Sequence, residues 1–293
     1  MQGPQAGKGM LAYSQIEALK FDNGRFEDIA MVWVRCGQQW MADIDAIVFD
    51  KDGTLANSHQ LLHRTALARA EACATAVGAG DEIVQALLTC FGVSPQGIDP
   101  DGLMAAGTRE ANRQGAITVL VQAGYPQEKV TALVADCFAA VNAARNGKAA
   151  YTPPFEGTAA MLERLHQSPL KLGVLSSDSP AYVEEFLRYY DLMPWVDEWQ
   201  GTRPQDPPKP DPTLLLEVCD RLQVSVAHTL VIGDSWADLA LAEQANAAGF
   251  ISVSEPWGRS PVPGATRILS QWDDLVVVDS AQPGLSSPCD TLK

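Results

Sequence analysis

Phe49-Asp50-Lys51-Asp52-Gly53-Thr54-Leu55 follows directly on the apolar run Ala46-Ile47-Val48-Phe49. The run is continuous rather than alternating, which predicts a strand buried on both faces of a parallel sheet. Two carboxylates then leave the sheet at its carboxyl end, the edge where open α/β sheets bind ligands. Asp50 and Asp52 are close enough in sequence for one to attack a substrate and the other to move protons. Gly53 lets the backbone turn tightly before Thr54. The plainer alternative is a charged turn after a strand. A calcium loop is excluded: counting from Asp50, the sixth and twelfth positions hold Leu55 and Leu61, where an EF-hand needs glycine and glutamate.

The chain has 293 residues, 46% of them hydrophobic, enough for a full core and for one large domain or a core carrying a smaller one. A formal charge of −15 argues against a nucleic-acid partner, because phosphate backbones are held by lysine and arginine. An anionic small substrate would need a metal or local cations. The six cysteines form no C-x-x-C pair, so reduced and mostly buried thiols in a cytoplasmic protein are expected. No stretch reaches the roughly 18 apolar residues of a membrane span, and no basic segment followed by an apolar core opens the chain.

Residues 1–40 read as an N-terminal extension. Asp22-Asn23-Gly24 signals a turn, Phe26 to Cys36 a strand, and Gly37 a second turn, together a hairpin against the sheet edge. Met41 is an equal candidate for the first residue of the minimal protein. After Leu55 the pattern becomes helical, with segments at His59 to Val77, Glu82 to Phe91, Leu103 to Ala123 and Glu128 to Asn142. These make residues 58–150 a helical module inserted into an α/β core of residues 41–57 and 151–280, followed by a disordered tail, 281–293. His59 and His63 share a helix face, but Gln60 stands where a zinc protease needs glutamate, so surface histidines are the better reading. Arg109 and Arg113, beside Gly107 and Thr108, are the module's cationic cluster and a candidate substrate contact, or else a solvated helix face.

From Tyr151 the α/β alternation returns. A helix from Thr158 to His166 leads to the strand Leu170 to Leu175, which ends in Ser176-Ser177-Asp178. A hydroxyl there can donate to a phosphoryl oxygen without adding negative charge, although serine-rich strand ends are common turns. After a helix from Ala181 to Tyr190, Pro207-Pro208-Lys209-Pro210-Asp211-Pro212 holds a lysine in a rigid loop. Asp211 is placed to cap the next helix, Thr213 to Leu222. The strand His228 to Ile232 runs into Gly233-Asp234-Ser235-Trp236-Ala237-Asp238, a helix is expected from Leu239 to Ala248, and a strand from Phe250 to Val253. A short amphipathic piece spans Ile268 to Val278.

Three strands thus bring Asp50 and Asp52, Ser176, and Asp234 and Asp238 to one crevice, and a loop adds Lys209. A carboxylate attacking a phosphate ester sets anion against anion. Offsetting that repulsion takes attractions of order 4 kcal/mol per contacting charge pair in a partly screened site. A magnesium ion held by aspartates, together with a lysine, supplies them, while zinc lacks a Cys/His set here.

On these motifs the chain resembles the haloacid dehalogenase superfamily of phosphotransferases. Its D-x-D-G-T/S motif matches Asp50 to Thr54, its strand-ending hydroxyl Ser176, its lysine Lys209, and its G-D-x-x-x-D motif Gly233 to Asp238, all within about residues 44 to 280. The resemblance implies a Rossmann-like doubly wound parallel sheet with an inserted helical cap of the C1 type. It implies Asp50 as nucleophile and Mg²⁺ ligand, Asp52 as general acid and base and backbone-carbonyl ligand, and Asp234 as a further ligand. Asp238 would orient the site from behind, Ser176 and Lys209 would grip the phosphoryl group, and Gly53, Thr54, Ser177 and Arg109 would lie near substrate. The aspartate at position 52 directs the expectation to phosphate-ester hydrolysis of a small phosphorylated metabolite, in the style of phosphoglycolate phosphatases and in a monomer or homodimer. Asn57 stands where that group often has aspartate, which leaves the substrate open. A β-phosphoglucomutase-like sugar-phosphate mutase and a non-catalytic binding protein of the same fold are the alternatives.

Overall fold

The computed structural model describes residues 32–99, 102–105, 107–144, 147–254 and 260–279. The Asp22-Asn23-Gly24 turn, the start of the strand expected from Phe26, Cys289 and the 281–293 tail lie outside them. In chain order come β1 (Val32–Cys36), β2 (Gln39–Met41), β3 (Ala46–Phe49), α1 (His59–Ala76), α2 (Asp81–Phe91), β4 (Val93–Ser94), β5 (Gly97–Ile98), α3 (Arg109–Gln122) and α4 (Gln127–Ala143). Then follow α5 (Thr158–His166), β6 (Lys171–Leu175), α6 (Pro180–Tyr189), β7 (Glu198–Gln200), α7 (Thr213–Leu222), β8 (Thr229–Gly233), α8 (Trp236–Gln244), β9 (Gly249–Val253), β10 (Ile268–Leu269) and β11 (Leu275–Asp279).

Six strands form a parallel sheet in the order β10-β9-β8-β3-β6-β7. Helices cover both faces. Ile47 and Phe49 of β3 point with Leu172, Val174, Leu230 and Ile232 toward α5 and α6. Ala46 and Val48 point the other way, toward Leu214, Leu215 and Val218 of α7 and Leu241 of α8. Two-sided burial is why these strands read as unbroken apolar runs. Gly173 allows the close packing on the second face, since a Cβ there would stand 3.1 Å from Val48 and 3.2 Å from Val218.

The sheet is entered at its centre. β3 lies between β6 and β8, with Phe49 opposite Val174 on one side and Ile232 on the other. The order reverses at β3, and that is where a crevice opens at the strands' carboxyl ends.

Helices α1 to α4 are inserted between β3 and β6 and pack around a core of their own, built from Ala66, Ala70, Cys73, Leu87, Phe91, Ala116, Ile117, Leu120, Val130, Val134 and Phe138. The third helix is shorter than the expected 103–123. The Thr108 hydroxyl accepts from Ala111 N–H at 3.0 Å and starts the helix there. The Asn112 amide then donates back to Leu103 O at 2.6 Å, holding Leu103 in a separate turn. The helix expected from Leu239 starts three residues earlier, because Ser235 and Asp238 form a capping box that admits Trp236.

β1 and β2 pair as an antiparallel hairpin turning at Gly37, but they do not extend the main sheet. They form a three-stranded antiparallel sheet, β11-β1-β2, with Val34 opposite both Val277 and Met41. The Ile268 to Val278 piece is thus two strands rather than one amphipathic element: β10 joins the main sheet and β11 the small one. Val34, Cys36, Met41 and Leu275 of the small sheet are buried in the core under α5. Trp272 ties this region down. Its indole meets Phe49 edge-on with centroids 6.1 Å apart and donates to the Thr158 hydroxyl at 3.2 Å, while Arg164 donates to Trp272 O and Leu275 O at 3.0 and 2.7 Å.

The five described cysteines are unpaired thiols. Burial pushes Cys36 up to about 11 and Cys73 up to about 12, so both are inert near neutral pH. Among the described residues no helix is long and apolar enough to cross a membrane.

Truncation of Trp272 removes a buried ring together with its hydrogen bond to Thr158 and its edge contact with Phe49, and leaves the backbone carbonyls that accept from Arg164 in place. Trp272→Ala is expected to cost about 3–5 kcal/mol in urea unfolding, against within about 0.5 kcal/mol for the exposed Trp236→Ala.

Candidate active site

Asp50 is the first residue beyond β3, and its N–H donates to Ile232 O at 2.8 Å, continuing the ladder one step past the strand. Its carboxylate therefore projects into the crevice between β6 and β8. There Asp50, Asp234 and Asp238 each offer a carboxylate oxygen, all within 4.8 Å of one another. Asp234 leaves β8 just after Gly233, where a side chain is impossible: a Cβ would stand 2.5 Å from the Asp238 Cβ.

Lys209 closes the group from the proline loop before α7. Its Nζ donates to Asp50 Oδ1 at 2.7 Å, Asp238 Oδ1 at 2.8 Å and Leu175 O at 2.7 Å, using all three ammonium protons. Burial alone would lower this lysine, but Asp238 and Asp50 outweigh it and hold the ammonium above its usual value. Asp211 Oδ1 accepts from Thr213 N–H at 2.9 Å just ahead of the helix, but Pro212, not the expected Asp211, holds the capping position.

Asp238 has no oxygen to spare. Oδ1 meets Lys209, and Oδ2 accepts from the Ser235 hydroxyl at 2.6 Å and the Ser235 N–H at 3.2 Å. Burial, reinforced by Asp238 and Asp234, pushes the Asp50 carboxyl up against the pull of Lys209. Three carboxylates and one ammonium leave two negative charges in a largely buried site. That deficit, and an all-oxygen donor set, fit one hard divalent cation such as Mg²⁺ on Asp50 and Asp234.

Ser176 is buried beside this group. Its Oγ accepts from Asp178 N–H at 3.1 Å, which leaves the hydroxyl proton free of that bond. Gly53 adopts φ 91°, where glycine is favoured, and its N–H donates to Ala56 O at 2.8 Å. Thr54 is buried and Ser177 exposed. Arg109 is exposed at the start of α3, and no hydrogen bond or ion pair given for the described residues joins it to the acidic group. Arg113 pairs with Glu110 at 3.1 Å, a solvated helix face. His63 is exposed, and neither it nor His59 belongs to an acidic or metal-like cluster among the described residues.

Asp52 does not join the Asp50 group. Its Oδ2 meets Lys51 Nζ at 2.7 Å, and Lys51 also meets Asp178 Oδ2 at 3.0 Å. Lys51 is 1% exposed and sits 5.4 Å from the Phe186 ring centroid. Asp178 is bonded in turn to Lys148, which stands 4.9 Å over the Tyr182 ring. Desolvation pushes the Asp52 carboxyl up, with Lys51 pulling it back. Burial would also raise Asp178, but Lys51 and Lys148 prevail and hold it below the usual carboxylate range.

Sequence reasoning passed over Lys51, Asp178 and Lys148. The available signal was Lys51 itself, a charge placed directly after a strand buried on both faces, which must find carboxylates within reach.

A family profile described as haloacid dehalogenase-like hydrolase matches residues 44–246. The phosphoglycolate phosphatase of Psychrobacter arcticus is 29% identical over 85 residues, which are 29% of this chain and 37% of that protein. The match thus spans little more than a third of that relative's length. Among solved structures, a predicted phosphoglycolate phosphatase from Haemophilus somnus superposes with a TM-score of 0.57 at 19% identity, covering 79% of this chain and 96% of that one. A HAD-superfamily hydrolase of subfamily IA from Geobacter sulfurreducens gives 0.53 at 20% identity, covering 78% and 93%. At such identities the likeness is one of fold.

A depressed carboxyl contributes stability that is complete above its unfolded value, about 3.9, and is lost as pH falls toward its folded value. Asp178→Asn is therefore expected to lower the urea midpoint most near neutral pH. Its gap to the wild type should close below about pH 4. A gap independent of pH would show that Asp178 acts without its charge.

Proposed function

The chain belongs to the haloacid dehalogenase-like hydrolase family, and from that membership we propose that it is a Mg²⁺-dependent phosphatase acting on a small phosphorylated metabolite. The observation that carries the proposal is the meeting of Asp50, Asp234, Asp238 and Lys209 at the carboxyl ends of β3 and β8, with two negative charges left for a divalent cation.

Asp50 and Asp234 would hold Mg²⁺ with the Asp52 carbonyl, and the ion when bound neutralises charge on the transferring phosphoryl group. Lys209 orients the Asp50 carboxylate and adds positive charge beside the phosphoryl oxygens, and Ser176 donates its proton to one of them. Asp50 attacks phosphorus, the ester P–O bond breaks, and Asp52 gives its proton to the departing alkoxide, leaving an aspartyl phosphate and an alcohol. Asp52 then takes a proton from water, the hydroxide attacks phosphorus, and inorganic phosphate leaves Asp50 free. Asp238, engaged on both oxygens, orients Lys209 rather than binding metal.

Helices α1 to α4 serve as a cap of the C1 type, closing over the crevice to exclude water and select substrate. Phosphoglycolate is the first substrate to test, on the strength of the partial likeness to the Psychrobacter phosphatase. The unpaired thiols of the described residues suit a cytoplasmic setting, and a monomer or homodimer completes the reading.

A screen of phosphorylated metabolites with and without Mg²⁺, scoring released phosphate and isomerised product, tests this reading and separates it from a mutase and from a binding protein. Phosphate release that stops on chelation is expected; isomer formation without release, or no turnover at all, would overturn it. Asp50→Asn should abolish turnover with the fold retained, and Asp52→Asn should lower kcat at least roughly 10²-fold.

A further inference from the structure

The outward and return strands of the helical module run together where they leave the core. Asn57 N–H donates to Pro153 O at 2.7 Å and Phe155 N–H to Leu55 O at 2.9 Å. One step nearer the module, the return strand is fastened to α6. Ala149 N–H donates to Glu185 Oε1 at 3.3 Å, the Tyr190 hydroxyl donates to Ala149 O at 2.8 Å, and Lys148 lies over Tyr182. Lys148 also bonds Asp178, so the residue by which the chain re-enters the core is the outermost member of a line of alternating charges: Lys148, Asp178, Lys51, Asp52. With Asp52 ionised, two ammoniums and two carboxylates sum to zero, in contrast to the Asp50 group.

We propose that Lys148 is a positioning residue: through Asp178 and Lys51 it holds the Asp52 carboxylate in the place from which it exchanges protons with substrate, and so ties the module's return strand to the acid–base step. The inference rests on the reading of Asp52 as acid and base. Lys51 has two carboxylates to serve and is too buried to swing into water. While Lys148 shares Asp178, Lys51 can remain on Asp52. Without Lys148 the Asp178 charge has only Lys51, which is drawn toward it and away from Asp52. The same lysine anchors the Asp52 turn, since Lys51 O accepts from Leu55 N–H at 3.0 Å and Ala56 N–H at 2.8 Å.

The test compares two leaving groups in the full-length protein. 4-Nitrophenyl phosphate departs without a proton, whereas the alkyl phosphate turned over fastest in the metabolite screen needs one. Lys148→Met is expected to lower kcat on the alkyl phosphate roughly tenfold with KM nearly unchanged, and on the aryl phosphate by less than about twofold. Lys148→Arg should restore the alkyl rate, and Lys148→Met should add nothing in an Asp52→Asn background. A structural role alone would slow both substrates equally and add to Asp52→Asn; either result overturns the proposal. A second arm needs no turnover: amide exchange at Leu55 and Ala56 should quicken in Lys148→Met and return to the wild-type rate in Lys148→Arg. Unchanged exchange overturns the coupling. If the wild type hydrolyses neither substrate, the phosphatase reading falls, and the exchange arm alone decides whether Lys148 controls the Asp52 turn.

Discussion

The Lys209 ammonium spends its three protons on Asp50, Asp238 and the Leu175 carbonyl, and much of the architecture follows from that geometry. Those partners stand at the ends of β3 and β6 and on the first turn of α8, elements far apart in sequence. A buried cation with fewer partners would be strongly destabilising, as would the carboxylates without it. The strand order that puts β3 between β6 and β8 is therefore also the order that lets one side chain reach all three. Its position leaves the Asp50 group short by two positive charges, a deficit that a divalent cation meets and that a purely structural cluster would have no reason to keep.

The two charge clusters that follow β3, one on Asp50 and one on Asp52, differ in kind. The one around Asp50 is open-ended, with an excess of carboxylate. The other, from Asp52 to Lys148, balances internally and reaches outward to the helical insertion. The proposed phosphoryl transfer would use this division, with neighbours that take up negative charge around the attacking group and a fixed place for the group that moves protons.

The central sheet was legible because burial on both faces writes itself as unbroken apolar runs, at Ala46 to Phe49 and Thr229 to Ile232 alike. The meeting of Asp50, Lys209 and Asp234 was legible because the two aspartates sit just past strands and the lysine within a proline-stiffened loop. What escaped depended on partners that no local pattern records. Leu275 to Asp279 pairs with Val32 to Cys36 rather than with the main sheet, and five residues do not announce a partner so distant. The onset of α3 was set by Thr108 and Asn112 side chains against a helix-favouring stretch. Lys51 was hidden between two conspicuous aspartates, and Lys148 gave no sign of its ties to Asp178 and Tyr182.

The ladder between β1 and β11 joins residues about 240 positions apart. A chain emerging from the ribosome makes β1 about 240 residues before β11. Until then the hairpin exposes an unpaired edge and the apolar side chains of Val34 and Cys36, the kind of surface that invites stray pairing. Closing so large a loop is slow, which sets the pairing of this small sheet after the folding of the elements that lie between its strands.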